Sequence, residues 1–364
     1  MPLFRPELFQ GARRRRRYFE GWYFKQVSPD GRAWSFIPGV SLDAEGGRKA
    51  FVQVIDGSAG TTRWYEFPFE TFRWSPRVLD LRVGDNRFSL SGIELDLDGP
   101  EGRVRADLRF GPSVRFPSRP WRPGIMGPYS FVPFLECNHG LVSLDHRTDG
   151  RVEADGIGIS MDGGRGYIEK DWGSSMPAAW IWCQSNSFSE PGTSFMFSLA
   201  DIPWLGGRFP GFLCAACLPE SGSRTGRPRS RRRSGAPGWV RVWASWNGSR
   251  IDRLEAGDRS LGVRILRGDE VLELRMERGR GGLLRAPAAG AMDRRIAESV
   301  DAVLSVRLES RSGRGFEGTA RPAGLEVVGD LSLLGPSRTY GAGRGKSRVT
   351  VVPPRPSNRT VPFS

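Results

Sequence analysis

The chain has 364 residues, enough for one large or two ordinary domains, and a net charge of +14. Its 12 Trp and 21 Phe can build a substantial core, while 48 Gly and 27 Pro favour short strands and turns over long helices. Many basic residues lie in Arg-rich clusters at 13–17 and 224–233, which lack the interleaved aromatics of a nucleic-acid platform. These features disfavour nucleic acid as a partner. With no signal peptide and no long apolar run, they predict a cytoplasmic protein, with peripheral contact with an anionic membrane as an option.

Short strands separated by turn signals are predicted throughout the N-terminal half. An irregular basic arm, 1–17, precedes a strongly aromatic strand, 18–27. In an extended chain Glu20 and Trp22 share one face of that strand, and Tyr23 takes the other. Glu20 is unusual among aromatics, because a buried acid needs a partner; Lys25, Lys170 or an Arg could supply it, or Glu20 and Tyr23 could line a site. Further strands are predicted at 34–41, 49–55, 63–69, 78–83, 87–97 and 102–110, a spacing typical of an antiparallel sandwich or barrel.

An irregular segment rich in Pro, Arg and aromatics, 111–135, is typical of the lid or mouth of a site. The sequence Glu-Cys-Asn-His-Gly follows at 136–140, before strands at 141–146 and 151–161. Asn138 and its neighbours could hydrogen-bond a polar head group or brace loops. Cys137, His139 and His146 lack a fourth ligand at zinc spacing, and the Cys214–Cys217 pair has no second half, so no metal site is predicted.

The stretch 164–188 concentrates the chemistry of the chain in two strand-like runs. In the first, Glu169 and Asp171 share one face, and Lys170 shares the other with Trp172; in the second, one face carries Trp180, Trp182, Gln184 and Asn186. Indole neighbours remove water from a carboxyl group and raise its pKa, as a general acid requires near neutral pH. We therefore expect Glu169 or Asp171 to donate a proton in an apolar pocket. Lys170 would be either a structural ion-pair partner or an anchor for a phenolate-like oxygen.

The C-terminal half continues the pattern of short strands and turns. An Arg-rich loop is expected at 219–238, a short helical turn at 293–300, and a disordered basic tail at 336–364. The predicted fold is all-β, with two antiparallel barrel or sandwich halves packed together and few short helices. The predicted domains are 18–163 and 164–335. Strands are expected at 194–200, 212–218, 239–246, 250–254, 261–266, 271–277, 303–309, 314–320 and 325–330.

Three motifs together resemble the tocopherol cyclase family. They are Phe-Glu-Gly-Trp-Tyr-Phe at 19–24, Glu-Cys-Asn-His-Gly at 136–140, and Gly-Tyr-Ile-Glu-Lys-Asp-Trp-Gly at 166–173 followed by Trp-Ile-Trp-Cys-Gln-Ser-Asn at 180–186. The resemblance extends from about residue 18 to 334. It implies two lipocalin-like halves and an isomerase-type reaction that closes a chromanol ring after protonation of the alkene in a prenylated quinol. This chemistry requires no metal or nucleotide cofactor.

The resemblance decides between the two candidate acids, and the residue patterns above supply the other expected roles. Plant members have Asn where this chain has Asp171, so Glu169 becomes the expected proton donor and Asp171 its orienting partner. Trp172, Trp180 and Trp182 would form the pocket wall, and Asn138, His139, Gln184 and Asn186 would orient the oxygen-bearing head. Two alternatives remain: hydration instead of cyclisation of an isoprenoid lipid, and a lipocalin-like carrier that binds an apolar ligand without chemistry.

Overall fold

The computed structural model describes residues 2–133, 135–204, 206–218, 239–311, 315–335 and 348–351. Nearly all regular structure in these residues is β-strand, which confirms the all-β prediction. Within these ranges, no helix has the length and apolar character needed to cross a membrane. The helical elements are short 3₁₀ helices at Pro2–Phe4, Phe69–Thr71, Gly127–Phe131 and Leu331–Leu334.

The first sheet contains twelve strands from the N-terminal half, hydrogen-bonded in the order β4-β3-β2-β1-β12-β10-β9-β8-β7-β6-β5, with β11 paired to β10. Neighbouring strands are antiparallel, as predicted. The strands are β1 (Tyr18–Val27), β2 (Ala33–Leu42), β3 (Arg48–Asp56), β4 (Thr61–Pro68), β5 (Phe72–Trp74), β6 (Asp80–Val83), β7 (Asn86–Ser89), β8 (Gly92–Gly99), β9 (Gly102–Phe110), β10 (Cys137–Ala154), β11 (Ile157–Ser160) and β12 (Gly164–Gly173).

The second sheet contains eleven strands in the order β16-β15-β14-β13-β22-β21-β19-β18-β17-β23, with β20 paired to β21. Only the pairing of β17 with β23 is parallel among these described strands. The strands are β13 (Trp180–Ser185), β14 (Ser194–Trp204), β15 (Gly207–Leu218), β16 (Trp239–Ala244), β17 (Arg250–Ala256), β18 (Ser260–Arg267), β19 (Glu270–Glu277), β20 (Gly281–Ala288), β21 (Ala291–Ser310), β22 (Phe316–Val328) and β23 (Arg348–Val351).

The structure departs from the sequence expectations at residues 164–173 and 293–300, and two other predictions fall wholly or mostly outside the described residues. Strand β12 belongs to the first sheet, so that sheet extends beyond the predicted division at residue 163. Residues 293–300 form part of β21, and the predicted helical turn there is wrong. The predicted loop at 219–238 lies outside the described residues, and of the predicted tail at 336–364 only β23 is described.

Each sheet surrounds a hydrophobic core of its own, and a third cluster of buried residues joins the two sheets. Strands β8 and β9 alternate buried and exposed residues, because one face packs on a core and the other meets solvent. Strands β1 and β13 are instead buried on both faces. In β1, Trp22 and Phe24 enter the core of the first sheet, while Tyr23 belongs to the cluster between the sheets. Alternate residues of these strands therefore face the opposite sheet.

Candidate active site

A cavity of about 500 Å³ lies between the two sheets. Its walls are predominantly apolar, as expected for a site that holds a hydrophobic small molecule. Met126 and Tyr129, from the segment predicted to form a lid or mouth, contribute to the lining. The charged and titratable residues among the lining side chains are Tyr23, Cys137, His139, Glu169, Asp171, Tyr129, Arg285, Glu298 and Glu326.

Strand β12 supplies the two carboxylates from the first sheet. Because side chains alternate along a strand, Glu169 and Asp171 both reach the cavity. Glu169 lies opposite Tyr23 of β1, and Asp171 lies opposite His139 of β10. The antiparallel register thus brings residues distant in sequence to one wall of the cavity.

Glu169 is a buried carboxyl group with two hydrogen-bond donors on the same oxygen. The Tyr167 hydroxyl donates to its Oε2 at 2.5 Å, and Trp182 Nε1 donates to the same atom at 3.2 Å. Burial raises the pKa of Glu169 to about 7, against the opposing effect of the positive charge on His139. The group is therefore partly protonated at neutral pH.

His139 lies between the two carboxylates of β12. Its Nδ1 donates to Asp171 Oδ1 at 2.8 Å, and its Nε2 is 3.4 Å from Glu169 Oε2. Burial disfavours the imidazolium, but the charges of Asp171 and Glu169 outweigh this effect and raise the pKa of His139 to about 9. Ligand atoms of these three residues lie within 4.8 Å of one another, close enough to hold a metal ion. The Nδ1–Oδ1 hydrogen bond already occupies one such pair, so an ion there would have to replace it.

The second sheet contributes two buried glutamates that sequence reasoning missed. Glu298 of β21 and Glu326 of β22 are direct cross-strand partners, and both line the cavity. The Tyr23 hydroxyl donates to Glu298 Oε1 at 2.5 Å, and Trp180 Nε1 donates to Glu326 Oε2 at 2.5 Å. Burial raises the pKa of Glu298 to about 8, and burial with the nearby Glu298 charge raises the pKa of Glu326 well above its ordinary value. In an extended chain Ile296, Glu298 and Val300 share one face, which would place Glu298 among buried apolar residues. The prediction of a helical turn at 293–300 obscured this pattern.

Two of the predicted tryptophans form part of the cavity wall. Trp182 packs edge-on against Tyr23, with ring centroids 5.3 Å apart, and its indole nitrogen reaches across to Glu169 in the first sheet. Trp180 also lines the cavity, and the Arg294 guanidinium lies 4.8 Å from its ring centroid. Both indoles thus lie near the buried carboxyl groups.

Lys170, Trp172 and Glu20 lie on the opposite face of the first sheet, and none of them lines the cavity. Lys170 Nζ is 2.5 Å from Glu20 Oε1 in a fully buried ion pair, and it lies 4.5 Å from the Trp172 ring centroid. The structural ion-pair alternative for Lys170 is therefore the one that the geometry supports. The expectation that Glu20 and Trp172 line the site does not hold, because strand alternation directs both toward the first core.

Gln184, Asn186 and Asn138 also fall outside the cavity lining. Gln184 Oε1 accepts a hydrogen bond from Lys25 Nζ at 3.1 Å, and Asn186 Nδ2 donates to Asp145 Oδ1 at 3.0 Å. Asn138 Nδ2 donates to the Trp172 carbonyl oxygen at 3.3 Å. These amides connect strands, which corrects their predicted role in orienting a head group. Of that predicted group, only His139 lies at the cavity.

Comparison with known proteins gives a family match over part of the chain. No curated protein sequence matches. Among solved structures, a protein assigned to AttH from Nitrosomonas europaea shares 13% identity at a TM-score of 0.44, covering 85% of this chain and 92% of that chain. Kievitone hydratase from Nectria haematococca shares 11% identity at a TM-score of 0.43, covering 85% of this chain and 88% of that chain. At these values neither structure bears on substrate or reaction.

The family model described as tocopherol cyclase-like matches residues 93–198. This range contains two of the three motifs on which the resemblance was based, at 136–140 and at 166–186, together with Glu169, Asp171 and His139. The resemblance is thereby confirmed: residues 93–198 of this chain match the tocopherol cyclase-like family.

Proposed function

We propose that the protein is a cyclase or hydratase that protonates a carbon–carbon double bond of an isoprenoid-type substrate, such as a prenylated quinol, in the cavity between the sheets. The observation that carries the proposal is Glu169, a buried carboxyl group on an apolar wall whose pKa is raised to about 7. Such a group retains a proton near neutral pH and can act as a general acid. The tocopherol cyclase-like match over residues 93–198 supports the same chemistry.

Side chains at the cavity support both the protonation of the alkene and the cation that follows. Glu169 gives its proton to the less substituted alkene carbon, and the carboxylate that remains is stabilised by the hydrogen bonds from Tyr167 and Trp182. A cation develops on the more substituted carbon. The Trp180 and Trp182 indoles line this space, where a cation–π contact contributes about 1–2 kcal/mol. A substrate hydroxyl then attacks to close a ring, or water attacks to give an alcohol.

The test uses a prenylated hydroquinone in D2O, with the product examined by mass spectrometry. Protonation of the alkene by exchangeable solvent hydrogen leaves one non-exchangeable deuterium on carbon in the ring-closed or hydrated product. Glu169→Gln is expected to lower kcat by at least about 100-fold, because it removes the acid, while the ligand Kd stays within about threefold. Glu153→Gln, a partly exposed β10 variant away from the cavity lining, is the matched control and keeps wild-type kcat.

A lipocalin-like carrier is the competing function, and the predominantly apolar cavity would suit it equally. A carrier binds the same ligand and returns it intact and without deuterium, with the same Kd in wild type and Glu169→Gln. That result in the wild-type protein would overturn the enzymatic proposal. Turnover by Glu169→Gln at the wild-type rate would instead remove Glu169 from the role of proton donor.

A further inference from the structure

One buried carboxyl oxygen of a cavity-lining residue has no hydrogen-bond partner in the described part of the chain. Glu298 is completely buried, and its Oε1 accepts the hydrogen bond from Tyr23, whose hydroxyl in turn accepts one from Ser35. Its Oε2 is buried and, among the described residues, has no hydrogen-bond partner. Leaving a buried carboxyl oxygen unpaired is costly, and such groups in native proteins call for an explanation such as a catalytic or ligand-binding role.

We propose that Glu298 is a second catalytic residue, whose Oε2 accepts the proton from the oxygen that attacks the cation. This inference rests on the proposed function, because it assigns the other half of the same reaction. The two carboxyl groups come from different sheets, Glu169 from β12 of the first and Glu298 from β21 of the second. Both residues line the cavity.

The groups around Glu298 fit a proton acceptor. Tyr23 donates to Oε1, and Oε2 has no hydrogen-bond partner among the described residues. Lys25, also fully buried, donates to the carbonyl and side-chain oxygens of Gln184 at 3.1 Å, and its charge favours the ionised form of Glu298. Glu326, the cross-strand partner, has its Oε2 occupied by Trp180, and burial with the nearby Glu298 charge raises its pKa well above the ordinary value. Of the two second-sheet glutamates, Glu298 is the one with a buried carboxyl oxygen that has no partner in the described structure.

The bonds and protons balance. The O–H bond of Glu169 breaks as the new C–H bond forms, the attacking oxygen forms the C–O bond, and its proton passes to Glu298. Each turnover thus moves one proton from Glu169 to Glu298, and the reverse transfer through solvent restores the starting state as product leaves. Burial raises the pKa of both carboxyl groups, so each can hold a proton near neutral pH.

An experiment in D2O distinguishes the proton donor, Glu169, from the proposed proton acceptor, Glu298. Without a base for the attacking oxygen, the cation formed by Glu169 loses a proton back and regenerates an alkene. Glu298→Gln is therefore expected to incorporate deuterium into recovered or isomerised substrate while the ratio of C–O bond formation to exchange falls at least about 100-fold. Glu169→Gln abolishes both exchange and product. Glu153→Gln again serves as the control and keeps the wild-type ratio.

Tyr23→Phe provides a second test that leaves the carboxyl group in place and removes the bond to Oε1, together with the bond that Ser35 donates to the Tyr23 hydroxyl. It should lower the ratio of C–O bond formation to deuterium exchange by about tenfold. This test remains informative if Glu298→Gln does not fold. Wild-type ratios in both variants would overturn the role of Glu298 and leave the proposed function intact. Failure of the wild-type protein to incorporate deuterium into any carbon position would overturn the proposed function and this inference with it.

Discussion

Glu169 and Lys170 are neighbours in β12, yet their charges serve different purposes. Lys170 faces the first core, where Glu20 Oε1 lies 2.5 Å away and the Leu8 carbonyl oxygen accepts a second bond at 2.6 Å. Glu169 faces the cavity, where no lysine or arginine pairs with it and His139 is the nearest cation in the described structure. The paired charge of Lys170 contributes to the fold, whereas burial without a lysine or arginine partner raises the pKa of Glu169 to about 7.

Glu20→Gln tests the structural half of this contrast. Glu20 accepts from the Tyr18 hydroxyl at 2.6 Å, from the Gln10 and Gly11 amides, and from Lys170. An amide cannot accept all of these bonds, and it leaves the buried Lys170 ammonium without its ion-pair partner. We expect a loss of about 3–5 kcal/mol in the free energy of unfolding, measured with urea.

The control for that variant is Glu66→Gln, which breaks the exposed pair with Lys49, 3.0 Å apart. Solvent screening limits its effect to about 1 kcal/mol or less. Equal losses in the two variants would contradict the view that Glu20 and Lys170 form a stabilising buried pair.

At the scale of single strands, alternation was sufficient to predict which residues share a face. It correctly grouped Glu169 with Asp171, and Lys170 with Trp172. Alternation could not predict how many residues of one face line the cavity. Trp180 and Trp182 line it, but Gln184, the next residue on the same face, contacts Lys25. The end of the cavity along the strand depends on the width of the opposing sheet, which no local pattern encodes.

A glycine in β12 shows how closely the central strands are packed. At Gly166, a Cβ atom would overlap His146 Nε2 and Gln26 Oε1, two buried side chains that are held by other contacts. Gly166→Ala is expected to lower the free energy of unfolding by about 1–3 kcal/mol through overpacking, as measured by urea denaturation.

The matched control is Gly262→Ala in β18, where the nearest atom to a new Cβ is Glu255 Oε2 at 3.4 Å. Neither glycine has a positive φ, so backbone strain does not distinguish them. We expect Gly262→Ala to change stability by no more than about 0.5 kcal/mol. A similar loss at both positions would indicate that strand propensity, not steric overlap, sets the cost.

At the scale of the whole molecule, the site exists only because two sheets meet. The sequence placed the reactive stretch at the junction of two β units, but it could not reveal which strands of the second unit face Glu169. Glu298 and Glu326 are more than 120 positions away in the chain and reach the cavity through the pairing of β13, β22 and β21. That Glu169 faces a cavity could be predicted from local residues, whereas the presence of Glu298 in the same cavity required the tertiary arrangement.

The two histidines should change the free energy of unfolding in opposite directions as the pH rises, because the pKa of one is lowered and the pKa of the other is raised. His146 is buried, with Nδ1 2.9 Å from Ser143 Oγ and its ring centroid 4.5 Å from that of Phe110, and burial lowers its pKa to about 3. Because an unfolded histidine titrates near 6.5, the unfolded state binds the extra proton first as pH falls. The contribution of neutral His146 is complete above pH 6.5 and is lost progressively toward pH 3. His139, whose pKa is raised to about 9, contributes stability below pH 6.5 that is lost as pH rises through 9.

His146→Gln isolates the first of these effects. Urea unfolding of wild type and variant between pH 4.5 and 8 gives a difference in free energy in which the other titrating groups, including the cavity carboxyls, largely cancel. Above about pH 7 that difference should be constant. Below pH 6.5 the wild type should lose up to about 1.4 kcal/mol per pH unit relative to the variant, which has no proton to bind at this position. Parallel curves over the whole range would mean that the pKa of His146 in the folded protein is close to its unfolded value, in conflict with its enclosure between Phe110 and β12.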